Sequence, residues 1–296
     1  MDMDTTYTIT LVALMAIAAA SHTGICVGIP VGSGLIGRRE AVLLYIVAAL
    51  TGAILQGKLM AKAVLAPSLC AVLTTTAIST LPAVLGIPLS INFALYTSQI
   101  GCNSLVGIDA LLHSVMTWIA ITVMIAFVTY SLEKSILSSL VSRCRSPRRV
   151  LSWFRMFMVL LGMFMSFVVG ANTFGYLFMF TTSAVQQLLL CIAFICSAAI
   201  FSSRSIMRVA FSFYRIRFTQ ALSSLIVVIA FIEIATWFSI PFSASLAVAS
   251  ALYAAGHAST FHIISTKSFL YFVTAQFLSI PTALFLGSIL SLAITS

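Results

Sequence analysis

Between Phe269 and Ile294 the chain continues for more than a membrane thickness without a charged side chain, and runs of that kind recur from end to end. A helix needs about 20 mostly apolar residues to cross the hydrocarbon core. These runs are continuous rather than alternating, so they read as helices and not as the strands of a barrel. Hydrophobic residues make up 61% of the chain and charged residues 7%, a balance that excludes a water-soluble globule of this length. The expected fold class is all-α: a polytopic transmembrane helical bundle of about ten membrane segments.

The first half is expected to span at Tyr7–Val27, Ala41–Gln56, Ala63–Leu81, Ile87–Val106 and Leu111–Leu132. The second half is expected to span at Met156–Gly170, Val185–Ser202, Thr219–Phe238, Phe242–Ala255 and Phe269–Ile294. Pro88 and Gly101 interrupt the fourth segment, which makes it a candidate for a re-entrant hairpin. The polar stretch from Glu133 to Arg155 is the natural midpoint. It divides the chain into residues 1–132, a basic loop at 133–155, and residues 156–296. Asp2 and Asp4 precede the first apolar run where a signal peptide would carry basic residues, so the run reads as a retained helix.

A net charge of +9 would suit a nucleic-acid binder, but the basic residues fall in short links between spans. If every segment crosses once and the central loop is cytoplasmic, thirteen of the fifteen basic residues lie inside, leaving only Lys58 and Lys62 outside. That asymmetry obeys the positive-inside rule and puts both termini outside, in a multi-pass protein of the cell membrane. Nucleic acid is therefore not an expected partner, whereas membrane lipid is. Cysteines at 26, 70, 102, 144, 191 and 196 have no metal or redox spacing and read as small core residues. No cofactor, metal site or nucleophile–base constellation is expected, so the chain does not read as an enzyme.

Two features recur at nearly one offset. Asn172, in Gly170-Ala171-Asn172-Thr173, lies 151 residues after Ser21 in Ser21-His22-Thr23-Gly24. Ser243, in Ile240-Pro241-Phe242-Ser243, lies 153 after Ser90 in Ile87-Pro88-Leu89-Ser90. Five spans per half make the second copy enter the membrane upside down. The pattern is therefore an inverted repeat with broken or re-entrant helices, an architecture common among secondary transporters. In such folds half-helix N-termini point at the midplane, where free N–H groups and the positive dipole end favour an anion. Ser90 and Ser243 are then either equivalent ligands from the two halves or plain helix-start residues.

These motifs resemble those of the inorganic phosphate transporter (PiT) family. Gly170-Ala171-Asn172-Thr173 is similar to its GAND element, and Gly28-Ile29-Pro30-Val31-Gly32-Ser33-Gly34 to its G-T-x-V-G-S-G segment. The two Ile-Pro-x-Ser elements look like its paired L-P-V-S-T-T-H elements, and Leu278-Ser279-Ile280-Pro281 like its last helix. The likeness is collinear over nearly the whole chain. It implies secondary active transport of phosphate, or of sulfate or another oxyanion, with substrate contact at Ser21, Asn172, Thr173, Ser90 and Ser243.

The departures bear on coupling. Ser21-His22 stands where the family has Asn-Asp, and Thr173 replaces the second aspartate. A sodium site wants a carboxylate among its oxygens, and of six acidic residues only Glu233 falls well inside an expected span. A co-transported proton is therefore expected in place of sodium. His22 either carries that proton beside the anion or is a neutral imidazole bonded to backbone. Glu233 either joins a proton path, or it snorkels or pairs within the bundle. Two rivals stand beside this reading: a membrane protein whose site has decayed, and, more distantly, an intramembrane enzyme. Assembly as a homo-oligomer is open to either of the first two.

Overall fold

The structure, a computed structural model, describes residues 3–65, 67–103, 108–137, 147–211, 216–258 and 265–295. Among them all regular structure is helical. The first half holds α1 (Met3–Gly32), α2 (Arg38–Gln56), α3 (Leu69–Val84), α4 (Ile91–Cys102) and α5 (Ile108–Leu132). The second holds α6 (Pro147–Val169), α7 (Gly175–Phe178), α8 (Ala184–Phe201), α9 (Ser203–Phe211), α10 (Phe218–Trp237), α11 (Ala244–Ala258) and α12 (Thr266–Thr295). A 3₁₀ segment (Gly57–Ala63) extends α2, and π-helical turns follow α5 (Glu133–Leu137) and join α6 to α7 (Gly170–Phe174).

Seven of the resulting helical segments are long and apolar enough to cross a membrane: Met3–Gly32, Arg38–Ala63, Asp109–Ser135, Trp153–Phe178, Ala184–Phe201, Phe218–Trp237 and Thr266–Ile294. The protein is an integral membrane protein built as an all-α bundle. Where about ten spans are expected, the described residues form seven long helical segments and four short helices, α3, α4, α9 and α11. At about 1.5 Å per residue, α3 covers ~24 Å, α4 ~18 Å and α11 ~22 Å. Lipid-facing surface is plain on α12, where Leu278, Phe285 and Leu292, seven residues apart, are 62%, 67% and 72% exposed. By contrast α1 is buried without interruption from Ser21 to Pro30 and forms the centre of the bundle.

Packing is reciprocal between the halves. Helix α1 lies on α8, and α2 on α6; α4 lies on α12, and α11 on α5; α3 meets α4 as α10 meets α11. The ends of α3 and α10 share one cap. Gly86 and Ser239 take left-handed φ of 71° and 57°. The next amide bonds back five residues in both, Ile87 to the Pro82 carbonyl and Ile240 to the Ala235 carbonyl, each at 2.8 Å. This is a Schellman closure. It turns the chain from a descending helix into the short Ile-Pro-x-Ser link in both halves.

One end of the bundle gathers basic residues: Arg38 donates to Ser203, Arg204 donates to the Val84 carbonyl, and Arg155 sits 3.9 Å from Glu40. Lys58 and Lys62 lie in the 3₁₀ segment at the other end, where the Ser239 hydroxyl reaches the Leu59 carbonyl.

Three sequence expectations change. Arg204 and Arg208 are not in a loop but on amphipathic α9, whose Ser205, Ile206, Val209 and Ala210 are buried. Glycines at every fourth position of α1 (Gly24, Gly28, Gly32) admit it so closely that added Cβ atoms would strike Ser205, Val209 and Ala210. Cys70 and Cys102 are not lone core residues but a disulfide joining the start of α3 to the end of α4, Cα–Cα 6.1 Å. Cys26, Cys191 and Cys196 are free, and Cys144 lies outside the described residues. Finally, neither Asn-Asp-like stretch breaks its helix. α1 continues through Ser21–Gly24, and the second stretch is a π turn in which the Gly175 amide reaches the Gly170 carbonyl. Glycine loosens the helix, but the backbone stays bonded because wider i→i−5 bonds satisfy it.

Candidate functional site

The two short helices start inside the protein. Helix α4 runs from there to the Lys58/Lys62 end, where the Leu65 amide donates to the Gln99 side chain at 2.9 Å. Helix α11 runs the opposite way, to the basic end, where Tyr253 stacks on Phe269 of α12 at 4.0 Å between centroids. Their N-termini meet: the Phe93 and Phe242 rings stand edge to face at 6.4 Å, and the Asn92 amide donates to the Phe242 carbonyl at 2.8 Å. Two positive dipole ends and two sets of first-turn N–H groups therefore converge on one buried region.

Ser90 and Ser243 occupy the N-cap positions, as the helix-start reading had it. Each hydroxyl accepts from the amide three residues on, Phe93 or Leu246, at 3.2 Å. Both are 1% exposed, and each O–H can still donate. Ser243 also lies 3.4 Å from Ser245, which is fully buried.

Asn172 is the hub. Its Oδ1 accepts from Asn92 Nδ2 at 2.7 Å, and its own Nδ2 donates to Thr236 Oγ1 at 3.0 Å and to the Ile240 carbonyl at 3.2 Å. Thr173 Oγ1 accepts from the same Asn92 nitrogen at 3.2 Å. The wider π turn lets consecutive residues Asn172 and Thr173 both reach Asn92. Asn92 Oδ1 is buried with no partner. An acceptor left unpaired in such a place marks either destabilisation or room for a donor the structure does not contain.

The remaining predicted residues lie around this hub. The His22 ring stands edge to face with Phe174 of the π turn at 6.0 Å, with its Nδ1 3.0 Å from the Ala18 carbonyl and 3.2 Å from Ser21 Oγ. Ser21 Oγ donates to the Ala18 carbonyl at 3.1 Å, and the Ser21 carbonyl accepts from Ser205 of α9. The hydrogen bonds of Ser21 go to Ala18, His22 and Ser205, not to the Asn172 cluster. Glu233 is apart from it, on the last turn of α10. Its Oε1 accepts from Gln56 at 2.5 Å and from Trp237 at 2.7 Å, while its Oε2 is buried without a partner. Asn92, Thr236 and Ser245 were not among the sequence-chosen residues. The available signal was Asn92, an amide two residues beyond a proline–serine helix start.

The cluster offers hydroxyls, amide N–H groups and helix N-termini, with no carboxylate among Asn92, Asn172, Thr173, Thr236, Ser90, Ser243 and Ser245. Such a set suits an anion and is poor in what a hard cation wants. Among the described residues no group of three or more His, Cys, Asp or Glu side chains could hold a metal ion. No family model and no curated protein matches the chain. A solved structure does, described as "The sodium-dependent phosphate transporter": the TM-score is 0.82 at 13% identity over 98% of each chain, so the two share a fold.

Proposed function

We propose that the protein is a secondary active transporter that moves an inorganic oxyanion, phosphate first, across the cell membrane. It binds the anion where the N-termini of α4 and α11 meet Asn172. That convergence of two antiparallel half-helices carries the reading. Two further observations support it: the absence of carboxylates among the cluster residues and the overall likeness to a phosphate transporter. The matched caps at Gly86 and Ser239 and the reciprocal packing support an inverted repeat, so access would alternate as one half moves against the other. Gathering of arginines at one end supports a cytoplasmic central loop with both termini outside.

In this reading Asn172 and Thr173 bind the anion, joined by Asn92 and Thr236, with Ser90 and Ser243 donating from their caps. Bound anion displaces the Asn92–Asn172 contact and frees both amides. Coupling is to a proton carried by His22, whose ring packs on the turn that presents Asn172. Glu233, tied to Gln56 and Trp237, serves the far end of the proton path. Sodium coupling is the second reading, favoured by the structural neighbour, a sodium-dependent phosphate transporter. Uptake of labelled phosphate and sulfate into proteoliposomes, under separately imposed sodium and pH gradients, tests all of this. Proton-driven phosphate uptake is expected. Sodium-driven uptake sinks the proton reading, a lack of uptake under every gradient sinks transport, and unchanged proton coupling in His22→Asn removes His22.

A further inference from the structure

Neither of two surface cavities is lined by a residue of the Asn172 cluster, yet both are placed with respect to it. One, of about 370 Å³, opens at the basic end and is lined by Ile87, Arg208, Lys267, Ser268 and Tyr271. The other, of about 190 Å³, opens at the opposite end and is lined by Lys62, His113, Thr117, Ile240 and Pro241. Ile87 and Ile240 are the first residues of the two Ile-Pro-x-Ser links, so each cavity ends on the link to one half-helix. Behind the second, the Ile240 carbonyl already accepts from Asn172 at 3.2 Å. The walls correspond in part: the last long helix of each half supplies one, α12 beside α9 in the first cavity and α5 beside Tyr96 of α4 in the second.

Charge is the second correspondence. Arg208 and Lys267 are exposed, and neither is among the described residues' ion pairs or hydrogen bonds; the same holds for Lys62. Lys267 sits in the first turn of α12, where the helix dipole disfavours a cation. Helix stability does not account for its place there. Cations facing a concave, low-dielectric wall raise the local concentration of anions.

We propose that the two cavities are a matched pair of vestibules that collect a soluble inorganic oxyanion at either side of the buried site. Arg208 and Lys267 serve one, and Lys62, with a ring N–H of His113, serves the other. The inference deepens the transport reading and rests on it for the direction of traffic, but the field in each vestibule is measurable without transport.

The test places a thiol in each cavity, Ser268→Cys or Thr117→Cys, in the full chain in nonionic detergent. Its reaction is timed with an anionic (sulfonatoethyl) and a cationic (trimethylammonioethyl) methanethiosulfonate, each rate divided by that with 2-mercaptoethanol. The anionic reagent is expected to lead by about tenfold, and by progressively less as salt rises. Arg208→Gln with Lys267→Gln should bring the ratio at Ser268→Cys near one, and inorganic phosphate should slow both sites. Equal or cation-favouring rates overturn the proposal, as does a ratio that salt does not move, a readout that stands if the double variant fails to fold. Protection seen only in vesicles of anionic lipid, and not with soluble phosphate, also overturns it, since the cations then anchor headgroups. An intact ratio in a protein that takes up no phosphate would defeat the transport reading alone.

Discussion

Asn92 holds three acceptors on one nitrogen while its oxygen has none, and this imbalance makes it the most informative residue in the site. Truncation to alanine removes the donor from Asn172, Thr173 and the Phe242 carbonyl, all in a region closed to water. Leaving such groups unpaired costs about 1–3 kcal/mol. Asn92→Ala should therefore lower the thermal unfolding midpoint in detergent and weaken phosphate uptake together. An unchanged midpoint would mean that water or relaxation replaces the amide. The matching test at Asn172 separates binding from stability. Asn172→Asp keeps the acceptor for Asn92 but removes the N–H groups aimed at Thr236 and Ile240 and adds a negative charge. We expect phosphate uptake to fall by about tenfold or more, because repulsion adds to the lost donors. Uptake at the parental rate would place the anion elsewhere.

At the scale of elements, the glycines of the α6–α7 helix distinguish close packing from free surface. A Cβ at Gly170 would overlap the Ala49 backbone of α2, whereas at Gly162 it would meet only Pro30 Cγ at 3.4 Å, an ordinary contact. Gly162→Ala should therefore gain about 0.5–1 kcal/mol from helix propensity, and Gly170→Ala should lose more than that by separating α2 from the π turn. Melting both variants beside the parent checks the pair, and the prediction fails if the two shift alike. Gly86→Ala probes the shared cap. With φ at 71° and Arg204 Cβ 3.2 Å away, a side chain there should cost about 1–2 kcal/mol. Ser239 tolerates the same conformation while its hydroxyl bonds to Leu59.

These elements also show what sequence can carry. Hydropathy reports how each residue divides between water and lipid, so the seven long helices were legible, as were the two proline–serine starts that became N-caps. It says nothing of which polar residue finds which. The Asn92–Asn172 bond spans 80 residues, and the Cys70–Cys102 bridge depends on where α3 and α4 lie side by side. Helix α9 was missed because only nine residues alternate between α1 and the surface. Its arginines read as a loop until Gly24, Gly28 and Gly32 are seen to admit it. Glycine in the sequence signals loss of helix, not the wider bond by which the π turn at Gly170–Phe174 replaces it.

For the whole molecule, direction follows from the run of helices. Helix α3 descends from the Lys58/Lys62 end to the basic end and α10 makes the opposite journey, so the half-helix each delivers starts near the middle and leaves by the end it came from. An inverted pair of this kind gives the two vestibules equal standing, while charge and the Cys70–Cys102 disulfide near the Lys58/Lys62 end distinguish the ends. The cytoplasmic assignment of the basic end is therefore an electrostatic claim, open to a direct measurement. Arg39 and Lys58 are both exposed and lie at opposite ends of α2 and its extension. In intact cells a membrane-impermeant maleimide should label Lys58→Cys, and Arg39→Cys only after the membrane is permeabilised. The reverse pattern would invert the molecule, place thirteen basic residues outside against the positive-inside rule, and exchange the two vestibules between uptake and release. Labelling of both sites in intact cells would deny that Arg38–Ala63 crosses the membrane, and with it the antiparallel placement of the half-helices on which the anion site depends.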